Sequence, residues 1–312
     1  MKILITGGTG FVGSNLANNL VIEDHEIILL IRNKNKLNNI KITDKINIDY
    51  VDVTDFSKLS KSILKHKPDV IFHLAGETSH KKSFENPMYD VDVNTKSTLA
   101  ILEIIRNNSL SCKFILGSTF IVIGKPAELP INENSTCNPT TIYGSNRLTS
   151  EHYCKIYHNL FNIDTIVFRI TNSFGPLEQY KTSTKNALNF LIYQAYKGKE
   201  VSIYNHGKFF RDIIYISDVI SALKILMQKG KSGNVYWIAS GSKTWFYEIG
   251  DLLHELTGTT VSYVDSPNYT KKVDVGNFHV DNSKICSLGW NPTVNIKAGI
   301  KSTLDYFFKN SL

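Results

Sequence analysis

The sequence predicts an α/β protein, a doubly wound parallel sheet with a smaller C-terminal α/β lobe packed on it. Three observations predict this. Short, predominantly apolar runs recur at Ile3–Ile5, Ile27–Ile31, Val70–Leu74 and Phe114–Leu116. Helix-like stretches lie between them near Ser14–Val21, Ser57–Lys65 and Val91–Ile105. A glycine-rich turn joins the first strand to the first helix. Strands buried on both faces read as continuous apolar runs, and their alternation with helices is the pattern of a parallel sheet covered on both sides.

The first strand starts almost at once, since Met1-Lys2 leads into Ile3-Leu4-Ile5. That is too short for a secretion signal. It runs into Thr6-Gly7-Gly8-Thr9-Gly10-Phe11-Val12-Gly13, which opens the first helix. Glycines at such a turn let the backbone approach a pyrophosphate, and the helix N-terminus supplies amide donors and positive partial charge. The strand before and the helix after are the context this motif requires, which makes the sheet Rossmann-type and the ligand a dinucleotide. The second strand ends at Ile31 and is followed by Arg32. NAD usually has an acid there for its ribose hydroxyls, ~20 residues beyond the loop. A cation in its place favours the 2′-phosphate of NADP, with NAD as the alternative. Asp52 follows the strand ending Tyr50-Val51 and stands where an acid can accept a bond from the adenine amino group; Asp55 suits the next helix's N-cap better.

The alternation continues with a helix around Tyr143–Tyr157 and a strand at Thr165–Arg169. Beyond Gly175 it loosens into a helix near Lys185–Lys197, a strand at Glu200–Tyr204, a helix at Ser217–Gln228 and a turn at Trp290-Asn291-Pro292. Residues 1–175 are thus expected to hold the dinucleotide and the catalytic helix. Residues 176–312 should form mainly the substrate lobe, some of their segments returning to the sheet.

Composition narrows the function classes. The net charge of +7 comes mostly from dispersed Lys, with only five Arg, and no basic run is interleaved with aromatics. Nucleic acid is therefore not an expected partner. No apolar run approaches ~18 residues, so no membrane span is expected. Cys112, Cys137, Cys154 and Cys286 are scattered without metal-ligand spacing, as in a reducing compartment. A cytoplasmic enzyme without a metal fits best.

Tyr143 and Arg147 lie at i and i+4 and so share one helix face. Ser118 and Thr119 end a parallel strand, where open α/β sheets place their ligands. An unperturbed tyrosine titrates near ~10, and a neighbouring cation favours the phenolate. A hydroxyl, a phenol and a fixed cation together make a proton-transfer site. Read alone, Tyr143 is more readily a packed helix aromatic than a proton donor, and the lesser alternative for Arg211 is a surface ion pair with Asp212.

In these motifs the chain resembles the extended short-chain dehydrogenase/reductase family, the nucleotide-sugar epimerases, dehydratases and reductases. The likeness covers nearly the whole length. It includes Gly7-x-x-Gly10-x-x-Gly13, Asp52-Val53-Thr54-Asp55, His73-Leu74-Ala75-Gly76, Asn86-Pro87, Asn94 and Ser118-Thr119 before Gly124. It continues with Tyr143-Gly144-x-x-Arg147-x-x-x-Glu151, Arg169-x-x-Asn172-x-x-Gly175-Pro176, Arg211-Asp212, Asp218 and Leu288-Gly289-Trp290-x-Pro292. The resemblance implies that Tyr143 is the acid/base toward a sugar hydroxyl or carbonyl, that Thr119 bonds the same oxygen, and that Ser118 supports it. Leu74, Ala75, Gly76, Val53 and Asn94 would line the cofactor cleft, with Thr9, Phe11 and Val12 at its loop. Asn172 and Arg211 would grip the pyrophosphate of a nucleotide-diphosphate sugar, a role that suits the planar guanidinium fork.

Two positions depart from the family pattern. The cation four residues after the tyrosine is normally Lys and here is Arg147. Lys271-Lys272-Val273-Asp274 stands where many members carry Arg-x-x-Asp, with Lys271 left to supply charge. The dehydrating members place Asp-Glu directly after the Thr, and here those residues are Phe120 and Ile121. That leaves hydride chemistry at one carbon. The stretch from His73 to Pro87, together with Arg32-Asn33, resembles the GDP-4-keto-6-deoxymannose reductases, so NADPH reduction of a nucleotide-linked 4-keto sugar is the first expectation. A UDP-hexose-type 4-epimerase is the second, and a non-catalytic dinucleotide-binding protein the third. The resemblance also implies a homodimer paired through a four-helix interface that includes the Tyr143 helix. Tyr180, Asn186, Asn189 and Phe209 are lobe residues that no motif assigns.

Overall fold

Side chains alternate across the first strand, with Ile3 and Ile5 in one apolar core and Leu4 in another, all fully buried. The same alternation holds in the second, where Ile27, Leu29 and Ile31 face one core and Ile28 and Leu30 the other. Two cores on opposite faces are what a covered parallel sheet requires. The computed structural model describes residues 1–35, 37–182, 187–265 and 275–311. Its main sheet comprises β1 (Lys2–Thr6), β2 (Glu26–Ile31), β3 (Ile46–Tyr50), β4 (Val70–His73), β5 (Lys113–Thr119), β6 (Thr165–Ile170) and β11 (Asn234–Ile238). They lie in the order β11-β6-β5-β4-β1-β2-β3, all parallel. The strand order therefore reverses between β1 and β4, and a ligand crevice is expected at the carboxyl ends there.

One face is covered by α2 (Phe56–His66), α5 (Ser97–Asn107) and α6 (Ile142–Phe161). Short helices α3 (His80–Glu85) and α4 (Pro87–Val91) precede α5. The other face is covered by α1 (Phe11–Leu20) and α8 (Ile216–Lys229). Local chemistry sets the helix starts. Asp55 accepts from the Lys58 amide at 3.1 Å to cap α2, and Thr141 accepts from Gly144 at 3.0 Å to cap α6. The helix expected over Val91–Ile105 is not uniform: Asp92–Lys96 form a π-helical turn between α4 and α5. Such turns recur at functional sites, and this one carries the buried Asn94.

After β6 the chain leaves the sheet and comes back. The strand pairs β7 (Asn172–Phe174) with β10 (Ile213–Tyr215), β8 (Val201–Tyr204) with β13 (Val261–Val264), and β9 (Phe210–Arg211) with β12 (Thr244–Trp245) form small ribbons beside it. Helices α7 (Ala187–Tyr196) and α9 (Phe246–Thr257) and a last helix, Ile296–Lys309, pack around them. Between these pieces α8 and β11 return to the sheet, so the two parts interleave past residue 175. No helix among the described residues is long and apolar enough to cross a membrane.

His73, the last residue of β4, is wholly buried. Ser97 donates its proton to the Val93 carbonyl at 2.6 Å, so its oxygen accepts from His73 Nε2 at 3.0 Å. Nδ1 then accepts from the Thr6 hydroxyl at 2.8 Å, a tautomer assigned by donor count. Burial, with the Arg147 charge second, pushes His73 down to about 3. A ring held neutral in the native state contributes stability above pH 6.5, its ordinary value. That contribution is lost as pH falls from there toward about 3, because only the unfolded chain takes up the proton. The slope this one group adds is at most about 1.4 kcal/mol per pH unit. We expect urea melts between pH 7 and 4 to show a shallower loss of stability in His73→Gln than in the wild type; equal slopes would refute the assignment.

Candidate active site

The glycine loop is shaped by contacts no side chain would tolerate. Gly7 has φ +68°, and a Cβ there would lie 2.9 Å from the Ala75 backbone; one at Gly13 would lie 2.4 Å from the Gly7 carbonyl oxygen. The Gly10 amide bonds that same carbonyl at 2.8 Å. Gly10 starts α1 without a side-chain cap. The Phe11, Val12 and Gly13 amides precede the helix's first internal bond, from Ser14 N to Gly10 O. They are the orphan donors of a helix N-terminus and suit a phosphate. The ring of Phe11 and the branches of Val12 pack on the core instead.

This loop forms one wall of a cleft of ≈ 390 Å³ at the β1/β4 switch. Gly7, Thr9 and Gly10 line it with Arg32 after β2, Asp52 and Val53 after β3, and Ala75 and Gly76 after β4. Arg32 donates to the Tyr89 hydroxyl at 2.6 Å. Asp52 Oδ1 accepts from the Thr54 amide at 3.0 Å and its hydroxyl at 2.8 Å, which turns its own loop. Leu74 lies against the sheet core. Lys82 and Tyr89 also line the cleft; Lys82 falls within the His73–Pro87 stretch that the resemblance marked, whereas no sequence signal singled out Tyr89.

Tyr143 sits buried in the first turn of α6 and Arg147 one turn on. Arg147 Nη2 donates to the Ala75 carbonyl at 2.9 Å. Its Nε and Nη1 are buried and have no partner, and neither has Asn94 Oδ1, while Asn94 Nδ2 donates to the Glu77 carbonyl at 3.0 Å. A Cβ at Gly76 would fall 1.9 Å from Arg147 Nη2 and 2.7 Å from Asn94 Oδ1. All three residues therefore meet at one spot. Buried donors and an acceptor without partners are costly unless a ligand satisfies them. Hydroxyl groups, which both donate and accept, match this set. The residues present thus fit a dinucleotide, with phosphates at α1 and hydroxyls at Arg147 and Asn94.

Thr119 ends β5, buried, its hydroxyl accepting from the Ile121 amide at 3.3 Å. Ser118 is engaged elsewhere: its hydroxyl donates to Glu151 on α6, which Arg169 grips at 2.7 Å. A second cavity of ≈ 520 Å³ adjoins Phe120 and Ile121 and has Asn172 and Arg211 in its walls. Asn172 Oδ1 is buried without a partner. Arg211 stacks over Phe209 at 5.0 Å, and Phe209 stacks on Phe246 at 4.2 Å. Neither Arg211 nor Asp212 is at the surface, since both are buried.

The lobe residues without a motif separate here. Phe209 lines the cavity, whereas Asn189 is spent on the Gly175 backbone and Tyr180 packs against Tyr193 and Phe307. Phe246 was not singled out by any sequence signal. Lys271 and Asn186 lie outside the described residues. Among the described residues no group of His, Cys, Asp or Glu could hold a metal ion.

Comparison with known proteins agrees with this architecture. The chain is 30% identical to a Methanocaldococcus jannaschii protein named "Putative UDP-glucose 4-epimerase", over 99% of both chains. It is 26% identical to dTDP-glucose 4,6-dehydratase of Salmonella typhimurium, covering 100% of this chain and 94% of that one. Among solved structures, UDP-glucose 4-epimerase from Thermotoga maritima with UDP-glucose superimposes with a TM-score of 0.92 at 27% identity, over 100% of both chains. The pattern of the NAD dependent epimerase/dehydratase family matches residues 3–239, and the chain belongs to that family.

Proposed function

We propose that this protein is an NAD-dependent nucleotide-sugar 4-epimerase. The observation that carries the reading is the wall after Thr119. Phe120 and Ile121 line the sugar-side cavity and put no carboxylate directly after Thr119 for a second acid–base step, which favours chemistry at one carbon over dehydration. Full-length likeness to UDP-glucose 4-epimerases then weighs for epimerisation over the reduction that Arg32-Asn33 first suggested. Arg32, the residue behind the NADP expectation, is held by Tyr89, and the family's own cofactor is NAD.

The chemistry the dinucleotide supplies when bound is reversible hydride exchange with a sugar carbon. Tyr143 takes the hydroxyl proton from that carbon's oxygen as the C–H bond is cleaved, leaving a ketone on the sugar, and returns the proton when hydride comes back to the opposite face. Thr119 hydrogen-bonds the same oxygen. Arg147 turns its unpartnered Nε and Nη1 to the ribose hydroxyls, together with Asn94. Arg211 and Asn172 hold the pyrophosphate of the sugar nucleotide. The protein acts as a homodimer through α5 and α6, because α6 leaves Ile156, Leu160 and Phe161 exposed on its outer face.

Purified protein should interconvert UDP-hexose 4-epimers with no added cofactor, and dinucleotide released by denaturation should be NAD. Consumption of NADPH with 4-keto sugar nucleotides would favour the reductase, and silence in both assays a non-catalytic binder. Tyr143→Phe should lower kcat by about 10²- to 10⁴-fold with little change in NAD affinity, so full activity would refute its role. Light scattering should give twice the 35.2 kDa chain mass, and Leu160→Glu should give the monomer; a wild-type monomer would refute the pairing.

A further inference from the structure

We propose that the buried Glu151–Arg169 pair is a positioning device that sets Tyr143 and Arg147 against Thr119, an inference that rests on the roles assigned above. Glu151 lies four residues beyond Arg147 and eight beyond Tyr143 on α6, so the three share one face. Both members of the pair are 4% exposed. Arg169 donates from Nη2 to Oε2 at 2.7 Å and from Nε to both oxygens at 3.1 Å. Arg169 stands on β6 directly opposite Ser118 on β5, and the Ser118 hydroxyl donates to Oε1 of the same carboxylate. One carboxylate therefore joins α6, β5 and β6 at the residue just before Thr119.

Stability alone does not account for this arrangement. Desolvating two charges is costly, and a well-packed apolar pair often stabilises a fold as well or better. What an apolar pair lacks is direction. A forked, three-bond contact holds α6 in one register along β5 and β6. Ser118 is turned toward α6, which sends the next side chain, Thr119, to the other side of the strand. Arg169 is itself braced, with Nη2 near Cys137 Sγ at 3.2 Å and its guanidinium 5.6 Å over Trp237. Glu151 has both oxygens occupied by these donors and is not a catalytic residue; it acts through the helix it carries.

The decisive variants are Ser118→Ala, which removes one arm, and the joint change Glu151→Met with Arg169→Met, which avoids leaving a lone buried charge. Positioning predicts that the joint variant melts near the wild type, keeps its KM for UDP-hexose, and loses kcat by about 10- to 100-fold, as misplacement of reacting groups by ~1 Å does. It also predicts faster amide exchange at residues 117–121 and 142–147, measured without substrate. Ser118→Ala should move both readouts the same way and less far. Unchanged kcat and exchange in a folded joint variant, or in Ser118→Ala if that pair fails to fold, would overturn the proposal. If the wild type turns over no sugar nucleotide, the functional reading fails by itself, and the exchange measurement still decides the positioning role.

Discussion

The close approach of two backbones at the strand-order switch governs the rest of the site. Gly7 and Ala75 pack so tightly that a methyl group between them would lie 2.9 Å from backbone atoms. Around that contact the polar groups are fully assigned. The Ala75 amide donates to the Thr6 hydroxyl at 3.1 Å, Thr6 donates to His73, and His73 donates to Ser97 on α5. The Ala75 carbonyl, on the cleft side, receives Arg147. The glycine loop, the first strand and the helix that carries Tyr143 are thus referenced to one residue. A neutral His73 suits this use, because a charged ring beside Arg147 would carry both a desolvation cost and a like-charge repulsion.

Arg147 stands where the resemblance leads one to expect a lysine, and the surroundings show how a guanidinium is accommodated. A lysine ammonium is compact, whereas a guanidinium is wide and flat. Gly76 makes the room, since any side chain there would occupy the place of Nη2. One nitrogen is spent on Ala75, while Nε, Nη1 and the nearby Asn94 Oδ1 are buried without a partner. The π-helical turn at Asp92–Lys96 brings Asn94 to the same spot. Charge and donor capacity are kept while shape changes.

Much of this was legible in the sequence because it depends on local pattern. Apolar runs marked six of the seven sheet strands or their ends, the glycines marked the β1–α1 turn, and the spacing of Tyr143 and Arg147 put them on one face. Non-local partnerships were not legible. The segment Asn234–Ile238 is short and reads like any loop-flanked strand, yet it pairs with β6 and closes the sheet edge. Nothing in Ser118-Thr119 indicates that the first hydroxyl serves Glu151 rather than a ligand. Asn189 reads as a polar helix residue, and only the folded chain shows its amide bonded to both the amide and the carbonyl of Gly175. A π-helical turn changes hydrogen-bond register without a residue signature, so Asn94 was marked by resemblance and not by geometry.

The interleaving of lobe and sheet has a mechanical consequence for the cavity that Arg211 lines. Arg211 belongs to the lobe by sequence, but its neighbour Asp212 is fully buried. Asp212 accepts from the Ser240 amide and hydroxyl, both at 2.8 Å, from Gly241 at 3.1 Å and from Val280 at 3.3 Å. Ser240 and Gly241 follow β11 directly, so this carboxylate ties the Arg211 segment to the edge of the parallel sheet. Burial pushes Asp212 up to about 6, and the surrounding donors pull the other way. The Asp212 carbonyl also accepts from the Asn172 amide at 3.3 Å, which joins the second polar residue of the cavity to the same knot. A lobe hinged freely at residue 175 would let Arg211 drift relative to Asn172 and Tyr143. With β11 paired to β6 and Asp212 bonded to the exit of β11, the Arg211 segment is tied to the same sheet that carries Thr119 and Arg169.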